Sequence, residues 1–93
     1  MDLRKVLAST LRQNILKELS KSREIHVMKL VNAVSSTYNE LNRNLEILEK
    51  EGIVTDYYRV KVKHGKIRVI ALNRDNPKTK ILIAALKTLD SEK

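Results

Sequence analysis

Ninety-three residues are enough for one small domain, and nineteen Lys and Arg against eleven Asp and Glu give it a formal charge of +8 at pH 7. No apolar run approaches the roughly 20 residues of a bilayer span, and Arg4, Lys5 and Arg12 interrupt any signal-peptide apolar region at the start. The absence of Cys removes disulfides, thiolate metal sites and a cysteine nucleophile. A hydrophobic fraction of 42% with three Tyr, no Phe and no Trp implies a core of Leu, Ile, Val and Ala rather than a disordered basic tail. Two Gly and one Pro leave few turn-makers, so most of the chain must be regular structure. A compact basic domain of this kind points to a polyanionic partner.

Asp2 to Ala8 places Leu3, Val6 and Leu7 at helical spacing, a short opening helix. Thr10 and Gln13 have capping-box spacing and head a helix to about Leu19, with Leu11, Ile15, Leu16 and Leu19 on one face. Ser20 to Arg23 is a polar break. Glu24 to Val27 is β-tolerant and too short for a helix, which predicts a brief strand. Val27, Leu30, Val31 and Val34 then repeat at helical spacing until Ser35-Ser36 interrupts them. A second capping box, Thr37 to Glu40, heads a helix to Glu51 with Leu41, Leu45 and Leu48 as its buried stripe and Gly52 as its C-cap. Two helices with only a Ser pair between them must turn sharply, a helix-turn-helix over about 27–51.

From Ile53 the period becomes two. A hairpin over about 53–73, turning at His64-Gly65, would pair Val62 with Ile67, Val60 with Val69 and Tyr58 with Ala71. Lys61 would then oppose Arg68, an unfavourable pair that implies something negative in front of it. Asn76-Pro77 supplies an N-cap and a first helical residue for a last helix over about 77–90. That helix carries Ile81, Leu82, Ile83, Ala84, Ala85, Leu86 and Leu89, apolar over more than one face. The surplus asks for a second chain. The residues expected at that seam are Leu3, Leu7, Ile81, Leu82, Ala85, Leu86 and Leu89.

The element order α-α-β-α-α-β-β-α is that of a winged helix-turn-helix, an α+β fold that is mostly α, here with a C-terminal dimerisation helix. The residues carry a resemblance as well. Leu7-Ala8-Ser9-Thr10-Leu11-Arg12-Gln13-Asn14-Ile15-Leu16-Lys17-Glu18-Leu19 resembles the L-A-x-x-x-R-x-x-I-L-x-x-L helix of ArsR-type regulators. Leu45-Glu46-Ile47-Leu48-Glu49-Lys50-Glu51-Gly52-Ile53-Val54 resembles the L-x-x-L-E-x-x-G-L-V passage from recognition helix to wing shared by ArsR-type and MarR-type families. The likeness spans residues 7 to 72, and a minimal regulator of this shape resembles small archaeal and archaeal-virus winged-helix proteins. It implies a homodimeric DNA-binding transcriptional regulator. The Cys-rich motif of the metal-sensing ArsR branch is missing, which excludes thiolate sensing by that route. The long end helices of MarR-type proteins are reduced to the two short ones.

With Leu41, Leu45 and Leu48 inward, Asn39, Arg43, Glu46 and Lys50 point away from the core and Asn42 lies on the flank. The first part of a recognition helix enters the major groove, which selects Thr37, Tyr38, Asn39, Asn42 and Arg43 for base readout. Arg can bond guanine O6 and N7, and Asn can bond adenine N6 and N7. Ser35 and Ser36 suit phosphates. Tyr57 to Arg74 holds six basic residues and no acid, so Arg59, Lys61, Lys63, His64, Lys66 and Arg68 are expected on phosphates or in the minor groove. Tyr57 and Tyr58 are expected to pack at the base of the wing.

His26 and His64 have no Cys partner, so neither metal nor cofactor is expected, and no catalytic motif assembles. The expected partners are double-stranded DNA and a second copy of the chain, with no membrane, in a cytoplasmic, nucleoid-associated setting. The alternatives are an architectural protein that coats DNA with little sequence preference, and a winged-helix module for protein or RNA.

Overall fold

The local chemistry of the chain sets most of its boundaries, as the computed structural model shows for residues 3–61 and 65–91. The elements are α1 (Leu3–Leu7), α2 (Thr10–Ser20), β1 (Ile25–His26), α3 (Val27–Ala33), α4 (Tyr38–Lys50), β2 (Val54–Lys61), β3 (Gly65–Leu72) and α5 (Pro77–Ser91). This is the winged helix-turn-helix order expected from the sequence.

The cap of α4 is Thr37, whose hydroxyl accepts from the Glu40 amide at 3.1 Å. Asn76 caps α5, accepting from the Lys78 amide at 3.0 Å. The start of α2 differs from the expected box. Ser9, in an extended conformation, accepts from the Arg12 amide at 3.2 Å, and Thr10 is already helical. The Gln13 side chain donates to the Leu7 carbonyl instead of returning to the cap, so it bridges α1 and α2.

Two helix ends share one geometry. After α4, Gly52 adopts φ +74° while Ile53 N–H donates to the Leu48 carbonyl and Gly52 N–H to the Glu49 carbonyl, each at 2.9 Å. These are the paired bonds of a Schellman motif. After α3, Ser36 N–H donates to the Val31 carbonyl at 3.2 Å and Ser35 N–H to the Asn32 carbonyl at 3.3 Å, with Ser35 at φ 54°. A serine there carries a cost of about 1 kcal/mol that glycine avoids. This turn aims α4 away from α3.

The core is one aliphatic cluster. Ile15, Leu16 and Leu19 of α2, Leu30 of α3, Leu41, Leu45 and Leu48 of α4, Ile53 and Ile70 are fully buried, and Leu82 and Leu86 of α5 join them. Arg12 ties the opening of the chain to this body. Its guanidinium donates to the carbonyls of Val6 (3.0 Å) and Lys5 (2.8 Å) and to Asn44 Oδ1 of α4 (3.0 Å). The arginine of the ArsR-like pattern is thus a staple between α1, α2 and α4.

The sheet is antiparallel with order β1-β3-β2. Its hairpin register differs from the expected one. Val60 pairs with Lys66, Tyr58 with Arg68, Asp56 with Ile70 and Val54 with Leu72. The shift is odd, so it regroups the faces. Val54, Ile70 and Leu72 now share the face that joins the core cluster, while Val69, itself fully buried, shares the other with Ile67, Ala71, Tyr57 and Arg59. The alternation could not decide this because β3 is apolar on both faces. Core burial of Val54, Ile70 and Leu72 and the pairing of Ile25 with Ile70 decide it. Lys61 consequently faces Gly65 and not Arg68. The expected partner Val62 lies outside the described residues, as do His64 of the expected turn and Asp2.

Candidate nucleic-acid interface

The first turns of α4 and the stem of the wing meet at one side chain. Arg68 of β3 donates from Nε to Asp56 Oδ1 at 2.9 Å and from Nη2 to Asp56 Oδ2. Its Nη1 donates to the Tyr38 hydroxyl at 3.0 Å and to Asn42 Oδ1. The Arg68 and Asp56 side chains are only 17% and 11% exposed, so this ion pair is shielded from water. Asp56 holds the guanidinium pKa well above its ordinary value. Hydrogen bonds from Asn42 and Arg68 pull the Tyr38 hydroxyl below its own.

Around that junction lie the side chains expected to read bases. Thr37, Tyr38, Asn39 and Arg43 are exposed, and Asn42 is half-buried against the wing stem. Of the serines expected on phosphates, Ser35 is exposed and Ser36 is half-buried in the turn before α4. Arg68, grouped by sequence with the phosphate-binding wing, is placed between the wing and α4, with four of its N–H groups taken up inside the fold.

The second wing arginine is also paired. Arg59 Nε lies 2.7 Å from Glu24 Oε1, and the Tyr57 hydroxyl donates to the same carboxylate. Arg59 first, then Tyr57, hold the Glu24 pKa below the ordinary value of 4.5. The carboxylate in turn pushes the Tyr57 hydroxyl up. Arg74 turns to the carbonyls of Leu19, Ser20 and Ser22 at 3.4–3.5 Å, where the C-terminus of α2 favours a cation. Three of the six basic residues between Tyr57 and Arg74 therefore have partners within the molecule. Lys66 is exposed near the end of the hairpin and Lys61 closes β2. Lys63 and His64 lie outside the described residues.

The acids that do this pairing are the part sequence reasoning missed. Asp56 stands immediately before the acid-free stretch and Glu24 immediately before β1. Asp56 and Arg68 become diagonal neighbours only in the observed register, because Asp56 pairs with Ile70 and Tyr58 with Arg68. In the expected register they would be far apart. The same shift corrects the expectation for Tyr58. Tyr57 packs against Glu24, but Tyr58 is 62% exposed and its neighbour on that face, Val60, is 76% exposed. Both project on the α4 side of the hairpin, beyond the Arg68 junction.

The expected seam residues separate into two groups. Leu82 and Leu86 are buried in the chain's own core, and Leu7 packs partly against it. Ile81 and Leu89 are 52% and 48% exposed, with half-buried Ala85 between them on the outer line of α5. Leu3 opens α1. Among the described residues no group of three or more His, Cys, Asp or Glu could hold a metal ion, and no helix is long and apolar enough to cross a membrane.

Solved structures share this architecture at low sequence identity. A MarR-family transcriptional regulator from Enterococcus faecalis superposes with a TM-score of 0.77 at 19% identity, over 96% of this chain and 76% of that one. The homodimeric winged helix-turn-helix DNA-binding domain of a possible ArsR-family regulator from Mycobacterium bovis gives 0.71 at 21% identity, over 97% and 76%. A protein of the Sulfolobus islandicus plasmid-virus pSSVx gives 0.65 at 21%, over 83% of this chain and 97% of its own. The fold is that of the MarR- and ArsR-family winged-helix regulators. No protein-family model matches the chain, and no curated protein sequence does.

Proposed function

We propose that this chain is a sequence-specific, double-stranded DNA-binding transcriptional regulator that acts as a homodimer. The observation that carries the reading is the exposed first half of α4, with Thr37, Asn39 and Arg43 outward, set beside a basic hairpin in a winged helix-turn-helix fold. In this reading α4 enters the major groove, and the wing, through lysines such as Lys66, meets the backbone or minor groove. Ile81, Ala85 and Leu89 supply the seam. The dimer would set two half-sites about 34–36 Å apart.

Pairing of Arg59 with Glu24 and of Arg68 with Asp56 favours base readout over coating. A coating protein gains from every free cation, whereas here the stem arginines are neutralised and α4 is left to discriminate. Titration of random-sequence and selected duplexes tests the proposal. Selected duplexes should bind tightest, with affinity falling about 10³–10⁵-fold between 50 and 200 mM salt if the dimer neutralises 6–10 phosphates. Absence of any duplex binding at low salt would overturn it.

A further inference from the structure

Arg68 gives the reading end of α4 a fixed hydrogen-bond polarity. A guanidinium has five N–H donors and no acceptor, so any group facing it must accept. Arg68 Nη1 donates to Asn42 Oδ1 and, at 3.0 Å, to the Tyr38 hydroxyl oxygen. The carbonyl side of the Asn42 amide is therefore turned toward the wing, an orientation set by chemistry where an amide's two ends otherwise look alike. The Asn42 amide also hydrogen-bonds the Tyr38 hydroxyl, which leaves one of its two Nδ2 N–H groups for an outside partner. Tyr38, whose oxygen accepts from both Arg68 and Asn42, keeps its O–H proton. The arrangement resists reversal because Asp56 anchors the guanidinium from its other edge, with both side chains largely shielded from water.

Resting on the reading of α4 as a recognition helix, we infer that Asn42 and Tyr38 together present one N–H and one O–H donor and select an acceptor edge, guanine O6 and N7 above all. The adenine edge sets the N7 acceptor beside the N6 amino donor, and its bidentate recognition needs the amide's Oδ1 and Nδ2 side by side. Here Oδ1 faces Arg68 on the wing side while Nδ2 faces Tyr38, so the two do not meet a base side by side. Guanine offers two adjacent acceptors, which match two donors. Arg68 and Asp56 act as positioning residues: they touch no base, yet they decide which base the amide accepts. The adenine contact expected of Asn42 from its residue type alone is thereby redirected.

Selection of bound duplexes from a random library, with the full chain and with Asn42→Ala, identifies the base pair whose preference depends on Asn42. Guanine is expected there, and its replacement by 7-deazaguanine, which lacks the N7 acceptor, should weaken binding about fivefold. Arg68→Lys keeps the charge but loses the planar fork, so the amide is freed and the preference should move toward adenine. Asn42→Asp replaces the amide donors with a second acceptor oxygen while keeping an acceptor for Arg68, and should move the preference to cytosine, whose N4 amino group donates. It carries the test even if Arg68→Lys does not fold.

A wild-type preference for adenine at that position, weakened on removal of its N6 amino group, overturns the inference and leaves the DNA-binding reading standing. So does an Asn42→Ala selection indistinguishable from wild type, or an unchanged guanine preference in folded Arg68→Lys. Retention of no duplex at all overturns both.

Discussion

Near the start of α4 the fold takes up charge, whereas along α5 it takes up apolar surface. Beside α4 Arg68 is bound to Asp56, on the other face of the hairpin Arg59 is bound to Glu24, and what remains outward is a set of amides and hydroxyls with Arg43 and Lys66. On α5, Leu82 and Leu86 enter the core, and what remains outward is the line Ile81, Ala85, Leu89. In both regions the raw residue count overstates what is available to a partner. The difference lies in what is left. One surface keeps directional polar groups on a rigid support, and the other keeps a narrow apolar stripe whose only gain comes from excluding water.

The first region breaks most severely at Arg68. Arg68→Ala strands a shielded Asp56 carboxylate and removes the link to α4, and should cost about 2–3 kcal/mol in chemical denaturation. A loss below about 0.5 kcal/mol would mean the stem does not depend on this pair. The second region is expected to break at Ile81→Glu or Leu89→Glu, each weakening self-association by about 2 kcal/mol in sedimentation equilibrium while the monomer stays folded. Leu82→Glu is not an interface test, since Leu82 is fully buried and the variant should unfold.

Ser35→Gly sharpens the contrast from the backbone. It relieves the left-handed residue before α4 and should raise stability by about 1 kcal/mol, with self-association through α5 unchanged. Lys66→Ala should leave stability unaltered and make the salt dependence of DNA binding shallower by about 0.9 in log–log slope. The smallest effect concerns acid. Glu24 titrates below its ordinary value in the folded chain, so its contribution is complete above the unfolded carboxylate range and is lost as pH falls through the folded value. Thermal melts of wild type and Arg59→Ala should therefore diverge near neutrality and converge in strong acid.

The helices and their order were legible because their signals are local. Thr37 with Glu40, Gly52 after Lys50 and Asn76 before Pro77 each satisfy backbone groups within a few residues, and all three act as expected. The ArsR-like and MarR-like patterns also fall on the elements they imply, α2 and the passage from α4 into β2. The cap of α2 was misplaced by one residue because Ser9 and Thr10 are chemically equivalent candidates. Only the extended backbone at Ser9 separates them.

Periodicity, capping and composition act at short range, and from them alone an aliphatic winged helix-turn-helix domain with a basic excess follows. Only the assembled fold sets the hairpin register, because β3 is apolar on both faces and the packing of Val54, Ile70 and Leu72 into the core cluster is what distinguishes them. From that register follow the Asp56–Arg68 pair, the orientation of Asn42 and the outward placement of Tyr58 and Val60. Tertiary structure also decided which leucines of α5 face inward. The physical reason is common to these cases. A charge or an apolar side chain is recorded in sequence by type, but its availability depends on partners that are distant in the chain: 12 residues for Asp56 and Arg68, 35 for Glu24 and Arg59.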